Sequence, residues 1–135
     1  MNREIQSIIH RIENVNSGEP WFGRAVLVIL EEADAKKVYT KPNNTEHSLI
    51  ELLYHMITWA DFTLKRIEKD KINDLAVAEE LDWRIINLPT GQAGPKVHTW
   101  KKGLAEFKAI HKKIIALLHK GISKNPPRVN QKKYF

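Results

Sequence analysis

The sequence contains no cysteine and no long apolar run, and both absences narrow the range of functions. Without cysteine the chain cannot form a disulfide scaffold, a thiolate zinc finger, an iron–sulfur cluster or a cysteine nucleophile. No uncharged apolar run approaches the roughly 20 residues that span a bilayer, so we expect no membrane span. The first residues, MNREIQSIIHRIEN, carry charges where a signal peptide has its apolar segment. We therefore expect a cytoplasmic protein, and a length of 135 residues predicts one domain.

Several motifs of catalysis and of β-structure are also missing. There is no glycine-rich phosphate loop, no G-x-S-x-G elbow and no H-E-x-x-H pair. No strand alternation and no asparagine–glycine hairpin signal appears. The sequence therefore predicts an all-α fold whose chemistry depends on histidines, tryptophans and a few carboxylates.

Acidic residues are scarce in the last part of the chain. Residues 1–95 hold 11 Lys/Arg and 15 Asp/Glu, whereas residues 96–135 hold 11 Lys/Arg and one acid, Glu106. Such a basic segment is typical of a protein that binds nucleic acid or an anionic membrane surface, or of a solvated, lysine-rich helix face. We favour the solvated face and expect no nucleic-acid partner, because no recognised binding motif accompanies the charge.

Apolar periodicity predicts an up-down helical bundle with one long connection. Ser48 and Glu51 form the pattern of a capping box at the start of the longest helix. The connection of about 28 residues contains Leu88–Pro95, which cannot be regular structure, and Ala76–Leu81 as a short helical turn. The domain spans residues 1–122, with a basic tail at 123–135, and its helices are expected at about 2–15, 21–35, 48–69 and 98–121.

Apolar residues are dense in the predicted helix 21–35, so we expect that helix to be deeply buried. Trp21, Trp83 and Trp100 are expected to lie in the core or to line a groove. Along the last helix, Trp100, Leu104, Phe107, His111, Ile114 and Leu118 fall at spacings of three and four residues, which predicts a bundle seam.

Two histidines are candidates for a functional site. His55 borders the apolar stripe of the long helix, with Trp59 one turn further on, and His111 occupies a seam position of the last helix. An imidazole at a bundle edge can serve as a metal ligand or a general base, but a histidine in either position can equally be structural. Glu51, Trp59 and His111 are the residues expected to share a pocket with His55.

The segment HSLIELLYHMITWADFTLKRI, residues 47–67, resembles the second helix of the DinB-like (DinB/YfiT) superfamily. Residues 18–30, the phrase Leu81-Asp82-Trp83 and the pair Trp100 and Leu104 are similar to other parts of that family. The resemblance implies a four-helix bundle, commonly dimeric, that holds nickel or zinc through three histidines. Known relatives include thiol-dependent transferases and isomerases.

Of the three metal-ligating histidines in the family, the first is matched here by His55, and the other two have no match. Those form an H-x-x-x-H pair on the fourth helix, and this sequence has no such pair and stops about where that helix begins in relatives. We therefore expect the C-terminal helix to be missing and the chain to hold no divalent metal tightly. Part of the seam through Leu104, Phe107 and Ile114 is expected to lack a partner, unless the N-terminal helix or a second chain covers it.

Three hypotheses about function remain. The first is a DinB-like protein of unknown activity whose ancestral chemistry is metal-dependent, of the thiol transferase or hydrolase type, with a small-molecule thiol or other substrate. The second is a non-catalytic module for dimerisation or interaction, and a homodimer is expected in either case. The third, a nucleic-acid binder that uses the basic end, predicts binding that weakens steeply as the salt concentration rises.

Overall fold

The computed structural model describes residues 2–42, 47–69, 75–83 and 98–121, and this part of the chain contains five α-helices and no strand. The helices are α1 (Arg3–Ser17), α2 (Val26–Glu32), α3 (Leu49–Ile67), α4 (Leu75–Asp82) and α5 (Trp100–Gly121). The predicted all-α fold is confirmed. None of the helices in these ranges is both long and apolar enough to cross a membrane.

Helix α3 is the centre of the fold, and its start is fixed by the predicted capping box. The backbone N–H of Glu51 donates to Ser48 Oγ at 3.4 Å, and the backbone N–H of Ser48 donates to Glu51 Oε1 at 3.1 Å. These bonds satisfy two donors that the first turn of a helix leaves unpaired. The helix continues without glycine or proline to Ile67, and the chain leaves it at Lys69, whose φ is 57°.

Helices α3 and α5 form the core and run in the same direction. Gly103, near the start of α5, lies against Leu53 and Tyr54, while Ile114 lies farther along with Thr63 of α3 around a shared cavity. Two parallel helices need a long connection, which explains why residues 68–99 separate them. The buried core consists mainly of α3 and α5 side chains, together with Leu30 and Val38.

The prediction for residues 21–35 was wrong in extent and in burial. Helix α2 covers only Val26–Glu32, because a turn precedes it and Gly23 has a φ of 151°, which lies outside the helical range. Trp21 is 94% exposed and Phe22 is 58% exposed, so neither belongs to the core or lines a groove. Ala25 and Leu30 are the buried members of the predicted apolar face.

The structure buries only part of the stripe predicted for the long helix, which consists of Leu49, Leu52, Leu53, Met56, Ala60, Thr63, Leu64 and Ile67. Leu53, Ala60 and Leu64 are buried, but Leu52 is 39% exposed and Thr63 is exposed, while Ile50 and Ile57 from outside the stripe are fully buried. Residues beside the stripe are also apolar, so periodicity alone could not place the centre of the buried face.

The seam of α5 follows its prediction more closely. Trp100, Phe107 and Ile114 are buried, and Leu104 and His111 are half-buried. Phe107 and Ile114 belong to the core that the described part of the chain forms. Helix α1 contacts α5, so the structure shows the first of the two predicted alternatives, in which the N-terminal helix packs on the seam.

The long connection is not a loop throughout. It contains α4, which extends the predicted turn at Ala76–Leu81 to Leu75–Asp82. The loop predicted at Leu88–Pro95 and the tail predicted at 123–135 lie outside the described residues.

Candidate functional site

A cavity of about 670 Å³ lies between α1, α3 and α5. Its walls are largely apolar side chains, contributed by Ile12 and Val15 of α1, Met56 and Ala60 of α3, and Phe107 and Ile114 of α5. Its polar groups belong to Arg11, Asn16, His55, Trp59, Thr63 and His111. Pockets that bind small molecules typically combine this range of volumes with apolar walls and a few polar groups.

His55 reaches the cavity from α3 and is held in place by α4. Its Nδ1 contacts Oδ1 of Asp82, and the ring of Trp83 stacks on the imidazole with centroids 4.2 Å apart and planes 7° apart. A carboxylate oxygen only accepts hydrogen bonds, so Nδ1 of His55 carries the proton and donates it. In the neutral imidazole, Nε2 is then the ring nitrogen left to accept a hydrogen bond.

Trp83 joins α4 to the start of α3 through a second histidine. Its ring also stacks on His47, with centroids 3.8 Å apart and planes 9° apart. Ala78 is the buried residue of α4, and Leu75, Val77 and Leu81 are 45–51% exposed. The packing of α4 on α3 therefore depends largely on Trp83 and on the contact between Asp82 and His55.

His111, like His55, donates a hydrogen bond from Nδ1, but its acceptor is a backbone carbonyl and not a carboxylate. Its Nδ1 lies 2.9 Å from the carbonyl oxygen of Phe107, one turn earlier in α5, and its ring lies 4.2 Å from the Phe107 ring. Because a carbonyl only accepts, Nδ1 donates and Nε2 is left as the acceptor. The ring is half-buried and lines the cavity together with His55.

Glu51 does not line this cavity and serves the helix cap instead. Partial burial would by itself raise the pKa of Glu51, but hydrogen bonds from the Ser48 backbone and hydroxyl and from His47 outweigh burial and lower the pKa below its ordinary value of 4.5. The Ser48 hydroxyl donates to Oε1 at 2.9 Å, and His47 Nδ1 lies 3.4 Å from Oε2. Glu51 is thus charged, and its carboxylate accepts hydrogen bonds from Ser48 at the start of α3.

The structure brings together three of the four residues expected to share a pocket, namely His55, Trp59 and His111. The sequence reasoning assigned no role to Asp82 or Arg11. Asp82 lies in the phrase Leu81-Asp82-Trp83, so that phrase held a usable signal, but its position next to His55 depends on how α4 packs. Arg11 precedes Ile12 of the α1 stripe, and no pattern in the sequence indicates that it borders a cavity.

The residues present do not fit the three-histidine metal site that the family resemblance implies. Among the described residues, no group of three or more His, Asp or Glu side chains is arranged to hold a metal ion. His55 has the carboxylate partner typical of a metal-binding histidine. A catalytic zinc site needs about three protein ligands, so His55 and Asp82 alone do not make up such a site.

Comparison with known proteins identifies a family for most of the chain. A profile of the DinB superfamily matches residues 22–128, which include α2 to α5. No curated protein matches the sequence significantly. No solved structure matches it significantly either.

Proposed function

The chain belongs to the DinB superfamily, and we propose that it functions by binding a small molecule in the cavity between α1, α3 and α5. The observation that carries the proposal is the cavity itself, with a volume of about 670 Å³ and largely apolar walls. His55 supplies a polar contact there, because Asp82 and Trp83 fix its ring and leave Nε2 as an acceptor.

A neutral fluorescent probe tests this proposal. N-phenyl-1-naphthylamine is apolar and fluoresces strongly when it leaves water, and we expect it to bind the full chain with one site per chain. Thr63→Phe should abolish binding, since Thr63 is exposed and lines the cavity. Lys65→Phe is the matched control, since Lys65 is exposed on the same helix and does not line the cavity. Absence of binding, or equal binding by the Thr63→Phe variant, would overturn the proposal.

From the family resemblance we infer that the ancestral chemistry is metal-dependent, of the thiol transferase or hydrolase type, and that the metal site is incomplete in this chain. We propose that this chain alone binds nickel or zinc only weakly, because the described residues offer His55 without two further ligands nearby. Calorimetric titration of metal-stripped protein is the measurement. A stoichiometric dissociation constant below about 1 μM that His55→Ala abolishes would contradict the proposal.

A role in self-association is the second candidate, and exposed apolar side chains near α2 favour it. Trp21 and Phe22 are 94% and 58% exposed and contact each other edge to face, and Ile29 is 48% exposed. Trp21 and Phe22 form a contiguous exposed aromatic pair, and contiguous exposed apolar surface is typical of an interaction site. We propose that this surface pairs with a second copy to form a homodimer.

Sedimentation equilibrium of the full chain tests the homodimer. The double substitution Trp21→Ser and Phe22→Ser should shift the equilibrium toward monomer. Leu75→Ser, which removes a side chain that is 51% exposed on α4, should leave the equilibrium unchanged. A wild-type chain that remains monomeric at about 100 μM would contradict the proposed homodimer.

A further inference from the structure

We infer that the molecule taken up by the cavity is an apolar organic acid, whose hydrocarbon or aromatic body fills the cavity and whose anionic group is held by Arg11. This inference rests on the proposed small-molecule function and names the chemical class of the ligand. It follows from the balance of charge around the cavity together with its apolar walls.

The charged and titratable groups that line the cavity are all cationic or basic. Arg11, His55 and His111 contribute to the walls, and no Asp or Glu among the described residues does. A guanidinium remains charged at every physiological pH, so Arg11 presents a permanent positive charge at the edge of an apolar space. Arg11 is exposed, so its charge stays hydrated when a neutral molecule fills the cavity, whereas an anionic group beside it gains an ion pair and a cationic group is repelled.

Arg11 is available for such a ligand. Within the described part of the chain, Arg11 has no ion pair or hydrogen bond from its side chain, whereas Arg24 of the same region is paired with Glu32. Glu13, the nearest acid in sequence, lines a neighbouring groove with Lys108 and Lys112 and not this cavity. The planar fork of a guanidinium matches the two oxygens of a carboxylate, which favours a carboxylic acid as the ligand.

The apolar walls of the cavity indicate that the part of the ligand other than its anionic group is apolar. Ile12, Met56, Phe107 and Ile114 offer carbon surface from all three helices. Burial of a hydrocarbon body there is favourable in proportion to the area removed from water, and the anionic group can stay at the solvent edge beside Arg11. The cavity therefore favours an amphipathic acid over a compact polar anion such as inorganic phosphate.

Two probes that differ only by an anionic group test the inference. We compare 1-anilinonaphthalene-8-sulfonate with neutral N-phenyl-1-naphthylamine, which has the same ring system without the sulfonate. The wild-type chain should bind the sulfonate about three- to fivefold more tightly, the range expected for an ion pair near solvent. Arg11→Gln should remove this preference while the dissociation constant of the neutral probe changes by less than about twofold. Arg3→Gln, which alters an exposed arginine of α1 outside the cavity, should preserve the preference.

The outcomes separate this inference from the proposed function. If neither probe binds, or if Thr63→Phe fails to block both, the cavity is not a ligand site and both proposals are wrong. If the neutral probe binds but the sulfonate has no advantage, or keeps its advantage in the Arg11→Gln variant, small-molecule binding stands and the assignment to an organic acid is overturned. Loss of sulfonate binding in a Trp21→Ser variant would place that probe on the exposed surface near α2 and would also overturn the inference.

Discussion

The two faces of α3 differ in how closely they are packed. On one face, Ile50, Leu53 and Ile57 are at most 1% exposed, and Leu53 lies against Gly103 of α5. On the other, His55 and Trp59 border an open cavity. The same helix therefore contributes closely packed core residues from one face and part of the candidate site from the other, since closely packed side chains leave no room for a ligand.

The largest expected effect on stability comes from replacing isoleucine by alanine at a buried position of α3, compared with the same replacement at an exposed position of α2. Ile57→Ala should lower the free energy of unfolding by about 3–4 kcal/mol, because it removes a side chain that is 1% exposed and leaves a void. Ile29→Ala removes the same atoms from a position that is 48% exposed and should cost less than about 1 kcal/mol. Urea unfolding followed by circular dichroism measures both. Equal losses would show that α2 is as closely packed as the α5 face of α3.

Gly103→Ala tests how closely α3 and α5 approach. A Cβ at this position would lie 2.7 Å from Cδ2 of Leu53 and 3.3 Å from Cε2 of Tyr54, and both side chains are buried. Alanine normally stabilises a helix interior by up to about 1 kcal/mol relative to glycine, but overpacking of this contact should outweigh that gain and give a net loss of about 1–2 kcal/mol. A higher melting temperature for the Gly103→Ala variant would contradict the close packing of these helices.

Trp83→Ala tests how α4 is held on the open side of α3. Removal of the stacks with His47 and His55 should cost about 1 kcal/mol locally and speed amide exchange in α4 about fivefold, while exchange in the middle of α3 stays unchanged. Trp21→Ala is the matched control, because Trp21 is 94% exposed and should leave exchange in α4 unaffected. Uniform acceleration in both helices would mean that α4 and α3 unfold together.

The smallest expected effect concerns the charge of the α3 cap. The folded pKa of Glu51 lies below its ordinary value of 4.5, so the charge stabilises the fold above that pH, and the contribution is lost as the pH falls through the folded pKa. Glu51→Gln should therefore cost about 0.5 kcal/mol at pH 7 and less at a pH well below the ordinary value of 4.5. Parallel urea titrations at both pH values measure the difference. An equal cost at both would show that the cap depends on shape and not on charge.

The elements of this fold were predictable wherever a local signal was strong. Ser48 and Glu51 predicted the start of α3 to the residue, because a capping box involves only neighbours in the chain. The turn before α2 was not predicted, because Trp21 and Phe22 continue the apolar pattern while Gly23 departs from helical geometry. An apolar side chain that fits a helical pattern is buried only where a neighbouring element covers it, and nothing in the described part of this chain covers Trp21 closely.

The candidate site was predictable only in part, for the same reason. The sequence by itself determined that His55 and Trp59 share a side of α3 and that His111 lies on the seam of α5, because helical periodicity links residues three and four apart. Only the tertiary structure decided that Asp82 holds His55, that Arg11 borders the same cavity, and that Glu51 of the predicted cap lies outside that cavity. The first two depend on the packing of separate helices, and contacts between helices distant in sequence leave no periodic signal in either one.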